Sequence, residues 1–76
     1  MRHVSFTCEN GEQLEMRFSQ DQRIGVLVRN GEVLELKQQI SGSGFIYTNG
    51  PNVVRGKGDE LTIEMGRTAP IRCRAR

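Results

Sequence analysis

The stretch Val4-Ser5-Phe6-Thr7-Cys8-Glu9-Asn10-Gly11-Glu12-Gln13-Leu14-Glu15-Met16-Arg17-Phe18 decides the fold. Val4, Phe6 and Cys8 alternate with Ser5 and Thr7. Beyond Asn10-Gly11, Leu14, Met16 and Phe18 alternate with Glu15 and Arg17. Successive side chains of a strand point to opposite faces, so a period of two means two half-buried strands. Asn and Gly both tolerate positive φ, which a type I′ hairpin turn requires, so the pair between the runs joins them as an antiparallel hairpin.

The same device recurs outward from this hairpin, at Asn30-Gly31 and Asn49-Gly50. Ile24, Val26 and Val28 point one way before the second pair, and Leu34 and Leu36 follow it. Phe45 to Thr48 and Val53 to Arg55 flank the third. Leu61, Ile63 and Met65 alternate with Thr62 and Glu64, and Gly66-Arg67 turns the chain into Ile71 and Cys73. Glycine and proline interrupt the chain too often for a helix of ordinary length. The expected fold is all-β: about eight short antiparallel strands in a single domain over residues 1–76. A meander of this kind removes its exposed edges by closing into a small barrel, apolar side chains inside and charged ones outside. Arg72, Arg74 and Arg76 then line the solvent side of the last strand.

The chain has 76 residues and a formal net charge of +2, too balanced to point to nucleic acid or a lipid surface. No apolar run approaches the roughly 20 residues that a membrane-spanning helix needs. The pattern from Met1 leads straight into a strand, with no signal peptide read in this stretch; a mature domain whose export segment has been removed is one reading the sequence leaves open. Cys8 and Cys73 stand close to opposite ends. An even count so placed reads as one disulfide tying the ends together in an oxidising compartment; two buried thiols in a cytosolic protein are the other reading. The first is expected, because first and last strands become neighbours when the barrel closes.

Catalytic chemistry finds no support. The chain has one histidine, His3, beside the N-terminus and without a nucleophile to serve. Glu15, Glu35 and Glu64 fall at alternating, solvent-facing strand positions. Neither a catalytic residue, a metal site nor a cofactor is expected, and the glycines do not follow a phosphate-loop spacing. What remains is a pair of glycine-rich segments, Ser41-Gly42-Ser43-Gly44-Phe45-Ile46-Tyr47 and Arg55-Gly56-Lys57-Gly58-Asp59-Glu60. They set two hydroxyls and one ammonium on thin backbone, the composition of presented loops rather than of a core.

The order of these features resembles the membrane-bound and periplasmic inhibitors of C-type lysozyme, the MliC/PliC-like domains. The resemblance runs from about residue 4 to 74. It is carried by Phe6-Thr7-Cys8, Leu14-x-Met16-x-Phe18, the Ser-Gly-Ser-Gly-x-x-Tyr segment at 41–47, Gly56-Lys57-Gly58-Asp59-Glu60-Leu61 and Cys73. It implies an eight-stranded antiparallel barrel, export to the periplasm, frequent anchoring to a membrane as a lipoprotein, and a C-type lysozyme as protein partner of a monomer or weak homodimer. It also implies that Ser41, Ser43, Gly44 and Tyr47 of the first segment, with Lys57, Gly58 and Asp59 of the second, form the contact with the enzyme's cleft; Ser43 has glycines on both sides. The chain departs from the family pattern at Phe45-Ile46, where relatives often carry a small and then a basic residue, and in lacking a tryptophan before the Lys-Gly pair. Two rival expectations are a small barrel binding nucleic acid and an envelope domain without inhibitory activity.

Overall fold

The computed structural model describes residues 2–40, 42 and 44–76. Eight strands run β1 Arg2–Cys8, β2 Gln13–Phe18, β3 Ile24–Arg29, β4 Glu32–Gln39, β5 Phe45–Asn49, β6 Asn52–Lys57, β7 Glu60–Met65 and β8 Ile71–Ala75. Each pairs antiparallel with the next, and β8 returns to β1, closing the sheet into a barrel. The Cys8–Cys73 disulfide lies at this closure, where the two residues face each other in register. The barrel and its staple are those expected from the sequence.

The inward row of each strand makes the core. Phe6 and Cys8, then Leu14, Met16 and Phe18, are buried, as the alternation of the first hairpin requires. Leu27, Leu36, Tyr47, Val54, Leu61, Ile63 and Cys73 complete the cluster. On β8, Ile71, Cys73 and Ala75 turn inward while Arg72 and Arg74 stay exposed.

β3 departs from the simple alternation. Its inward positions are Gly25 and Leu27, and the apolar row Ile24, Val26 and Val28 faces outward, half-buried among its neighbours. The register explains the choice, since Gly25 lies opposite Leu36 and Leu27 opposite Leu34. The Tyr47 ring occupies the space over Gly25: a Cβ there would lie 2.9 Å from Tyr47 Cδ2. An isoleucine or valine at that level cannot share the interior with the ring. Gly56 plays the same part for Phe45, because a Cβ on it would come within 2.1 Å of Phe45 Cζ. Phe18, Phe45 and Tyr47 thus form a three-ring cluster with centroids 5.3 to 5.5 Å apart, in tilted and edge-on arrangements favourable to aromatic pairs.

The three Asn-Gly pairs do not share one turn type. Only Asn30-Gly31 has positive φ at both residues, 52° and 78°. At the first pair Gly11 alone is positive, and the Asn10 side chain accepts a hydrogen bond from the Glu12 amide. At the third, Gly50 at φ 58° is followed by Pro51, whose ring fixes a negative φ. Asn49 therefore lies in β5 opposite Asn52, and Gly50-Pro51 is the actual turn.

The seam between β1 and β8 has three residue pairs, Phe6–Ala75, Thr7–Arg74 and Cys8–Cys73, against six between β1 and β2. A bridge spanning 65 positions restricts the unfolded chain by about 4 kcal/mol on the loop-entropy account. Replacing both cysteines with serine is expected to lower stability by about that amount. Urea unfolding of oxidised wild type and of the double variant checks this.

Candidate functional site

An antiparallel meander divides its connections between two ends. The β2–β3, β4–β5 and β6–β7 connections emerge together at one of them. Ile40, Gly42 and Gly44 therefore share an end with the 58–59 turn, and the turn 19–23 belongs to the same end. Ser41 and Ser43 lie outside the described residues.

The two glycine-rich segments touch. Gly44 takes φ 69°, and a Cβ on it would lie 2.0 Å from the Gly56 carbonyl oxygen and 3.2 Å from Lys57 Cα. Residue 44 must be glycine for two reasons, its left-handed backbone and the adjoining β6 backbone. Gly56 in turn lies opposite Phe45 and beneath its ring. These two glycines lock one loop against the other. Gly42 and Gly58, by contrast, face open space. Gly58 at φ 61° makes the tight turn with Asp59 between Lys57 and Glu60, which pair across β6 and β7. The Asp59 carbonyl accepts the Ala75 amide at 2.7 Å, tying this turn to the last strand.

Lys57, Gly58 and Asp59 are exposed. Among the described residues, no carboxylate lies within ion-pair distance of Lys57, whereas Glu60 is bonded to Arg74 at 3.3 Å. The ammonium at the barrel's end is thus free for an outside acceptor. Arg55, two residues back on β6, shares its outward face and reaches Glu64 only at 4.0 Å.

Tyr47 lies inside the barrel, beneath the loops. Its side chain is 1% exposed, and its hydroxyl donates to the Gln22 carbonyl at 2.5 Å. The ring supports the loops from beneath. Gln22 is a non-glycine residue in the left-handed region, at φ 61°, a conformation that costs energy unless its surroundings hold it. The phenol holds it, and the Gln38 amide donates to the Arg23 carbonyl at 2.8 Å. Within the turn, the Asp21 carboxylate accepts the Ser19 hydroxyl at 2.7 Å and the Arg23 amide at 3.1 Å. The Ser19 hydroxyl first, and then that amide, hold the Asp21 carboxyl below the usual carboxylate range. Sequence reasoning missed this third loop, which contains no glycine; Ser19-x-Asp21 was its available sign.

The chain matches the family described as membrane-bound lysozyme-inhibitor of c-type lysozyme (MliC) over residues 6–72 and belongs to it. Among solved structures it is similar to Pseudomonas aeruginosa MliC, crystallised in complex with hen egg white lysozyme. The TM-score is 0.71 at 28% identity, over 99% of this chain and 81% of that one. No curated protein gives a significant match.

Burial raises the Tyr47 phenol above its ordinary value of 10.0. As pH climbs past that value the unfolded chain loses its phenolic proton before the folded one does. Stability therefore falls with pH until the buried phenol itself ionises. Tyr47→Phe is expected to cost about 1 kcal/mol near neutrality, through the lost bond to Gln22. It should also flatten the decline above pH 10, as thermal melts of both proteins across pH 7–11 would show.

Proposed function

We propose that this protein inhibits a C-type lysozyme by inserting the Ser/Gly loop and the Lys57-Gly58 turn into the enzyme's substrate cleft. The observation that carries the reading is the contact of Gly44 with the Gly56–Lys57 backbone. It sets Gly44, next in the chain after Ser43, against the backbone that carries Lys57, on a member of an inhibitor family.

The chemistry follows from the target. A glycosidase such as lysozyme flanks the scissile bond with two carboxyl groups. Lys57 offers these oxygens charge-assisted hydrogen bonds, stronger than neutral ones, and Ser41 and Ser43 offer hydroxyl donors. Gly42 and Gly58 meet no neighbour, so the projection stays narrow where it enters. Asp59 fixes the turn through its carbonyl, while Tyr47 acts on the contact indirectly by fixing the floor under β5 and the 19–23 turn. On this reading the protein works in the periplasm, or at a membrane facing it, where oxidising conditions form the Cys8–Cys73 bridge.

The nucleic-acid reading is disfavoured by where the aromatic rings lie. Phe6, Phe18 and Tyr47 are buried, and Phe45 packs over Gly56. Binders of single strands stack bases on exposed rings in a basic groove.

Clearing of a bacterial cell-wall suspension by hen egg white lysozyme tests the proposal. Wild type should suppress clearing, and Lys57→Ala should weaken suppression at least tenfold, equivalent to about 1.4 kcal/mol, with an unchanged melting temperature. Undiminished suppression by the folded variant would defeat the role given to Lys57.

A further inference from the structure

The polar contact just described leaves one conspicuous group unused. Ile40, the first residue after β4, is 101% exposed, as open to water as in an isolated chain. It takes no part in the core cluster. Single exposed apolar residues are ordinary on protein surfaces. Val33, 67% exposed next to the Asn30-Gly31 hairpin at the opposite end, is of that kind.

Ile40 differs in its position, at the end of the barrel that carries the 58–59 turn and Lys57. It lines a shallow depression with Gln38, Gln39, Gly44 and Phe45, as Val33 lines one with Leu27, Leu34 and Met65 at the opposite end. A second depression is lined by Phe45, Ile46, Arg55, Lys57, Glu60 and Thr62. Phe45 is common to both, so the two depressions adjoin, with the exposed Ile40 lining one and Lys57 the other. An exposed apolar side chain near a cation suits a cleft that offers an apolar contact beside its carboxylates. Sites for organic ligands are built this way, mostly apolar with a few placed polar groups.

We propose that Ile40 is an apolar anchor of the lysozyme interface, seated against the wall of the cleft while Lys57 meets its carboxylates; this rests on the inhibitor reading above. A side chain wholly exposed in the free protein and buried in a complex gains the full benefit of leaving water, as central anchors of protein interfaces do. Such contacts act mainly on dissociation, whereas charges on the rim act on association.

Surface plasmon resonance on immobilised hen egg white lysozyme tests this with wild type, Ile40→Ser, Ile40→Leu and Val33→Ser. Ile40→Ser should dissociate at least tenfold faster with an unchanged association rate and melting temperature. Ile40→Leu and Val33→Ser should stay within about threefold of wild type. Wild-type dissociation by Ile40→Ser overturns the anchor and leaves the inhibitor reading standing. The same result with lost binding to phosphatidylglycerol-containing vesicles would reassign Ile40 to a lipid surface. Equal losses in Val33→Ser and Ile40→Ser would overturn the assignment to this end of the barrel. Failure of wild type to bind would remove the inhibitor reading and the anchor together.

Discussion

Closure of the sheet is the constraint from which everything else follows. Eight short strands in a row would end in two open edges, each with a line of unsatisfied backbone groups. Joining β8 to β1 removes both edges, but with only three residue pairs. The disulfide sits on one of those three, at the place where the ladder is shortest. A core of twelve buried side chains is small, and a covalent staple at the weakest seam is the usual supplement in domains of this size.

Within the closed barrel, glycine and aromatic side chains act as matched pairs. Gly25 makes room for Tyr47, and Gly56 makes room for Phe45. These pairs set the height of β5 and β6, which in turn sets Gly44 against the Gly56–Lys57 backbone. The candidate site is therefore tied to the interior by a short chain of contacts. Tyr47 extends the chain to a third connection, since its hydroxyl holds the carbonyl of Gln22. The surface ion pairs matter less to this arrangement. His3 with Glu15 lies on the outside of the barrel, where such pairs contribute little, whereas the part-buried Arg29 donates two hydrogen bonds to Glu12 and ties the start of β2 to the end of β3.

Much of this was legible in residue order. The period of two in the first hairpin, the repeated Asn-Gly pairs and the terminal cysteines were enough for a closed eight-stranded barrel. The orientation of β3 was not, because a pattern of apolar residues ranks Ile24, Val26 and Val28 above Gly25 and Leu27. Gly25 belongs inside on account of Tyr47, a residue 22 positions away, and a local window cannot register that contact. The turn types escaped for a related reason: an Asn-Gly pair allows a type I′ turn without imposing it, and Pro51 shifted the third by one residue. In the candidate site, Lys57, Gly58 and Asp59 were visible as a polar run on thin backbone. Tyr47 stands in the same motif, and alternation with Ile46 and Thr48 puts it on the inward row beside Phe45. The 19–23 turn carries ordinary polar residues, and only tertiary contacts give it a role.

The division of connections between two ends has a practical consequence. Asn30-Gly31, Gly50-Pro51 and the bend around Gly66 occupy the pole away from Lys57, and each is a solvent-facing hairpin or turn. A fluorophore, an affinity handle or a grafted peptide at that pole would point away from the glycine-locked projection. The barrel can thus be held to a surface or joined to another module there, with its opposite pole left clear.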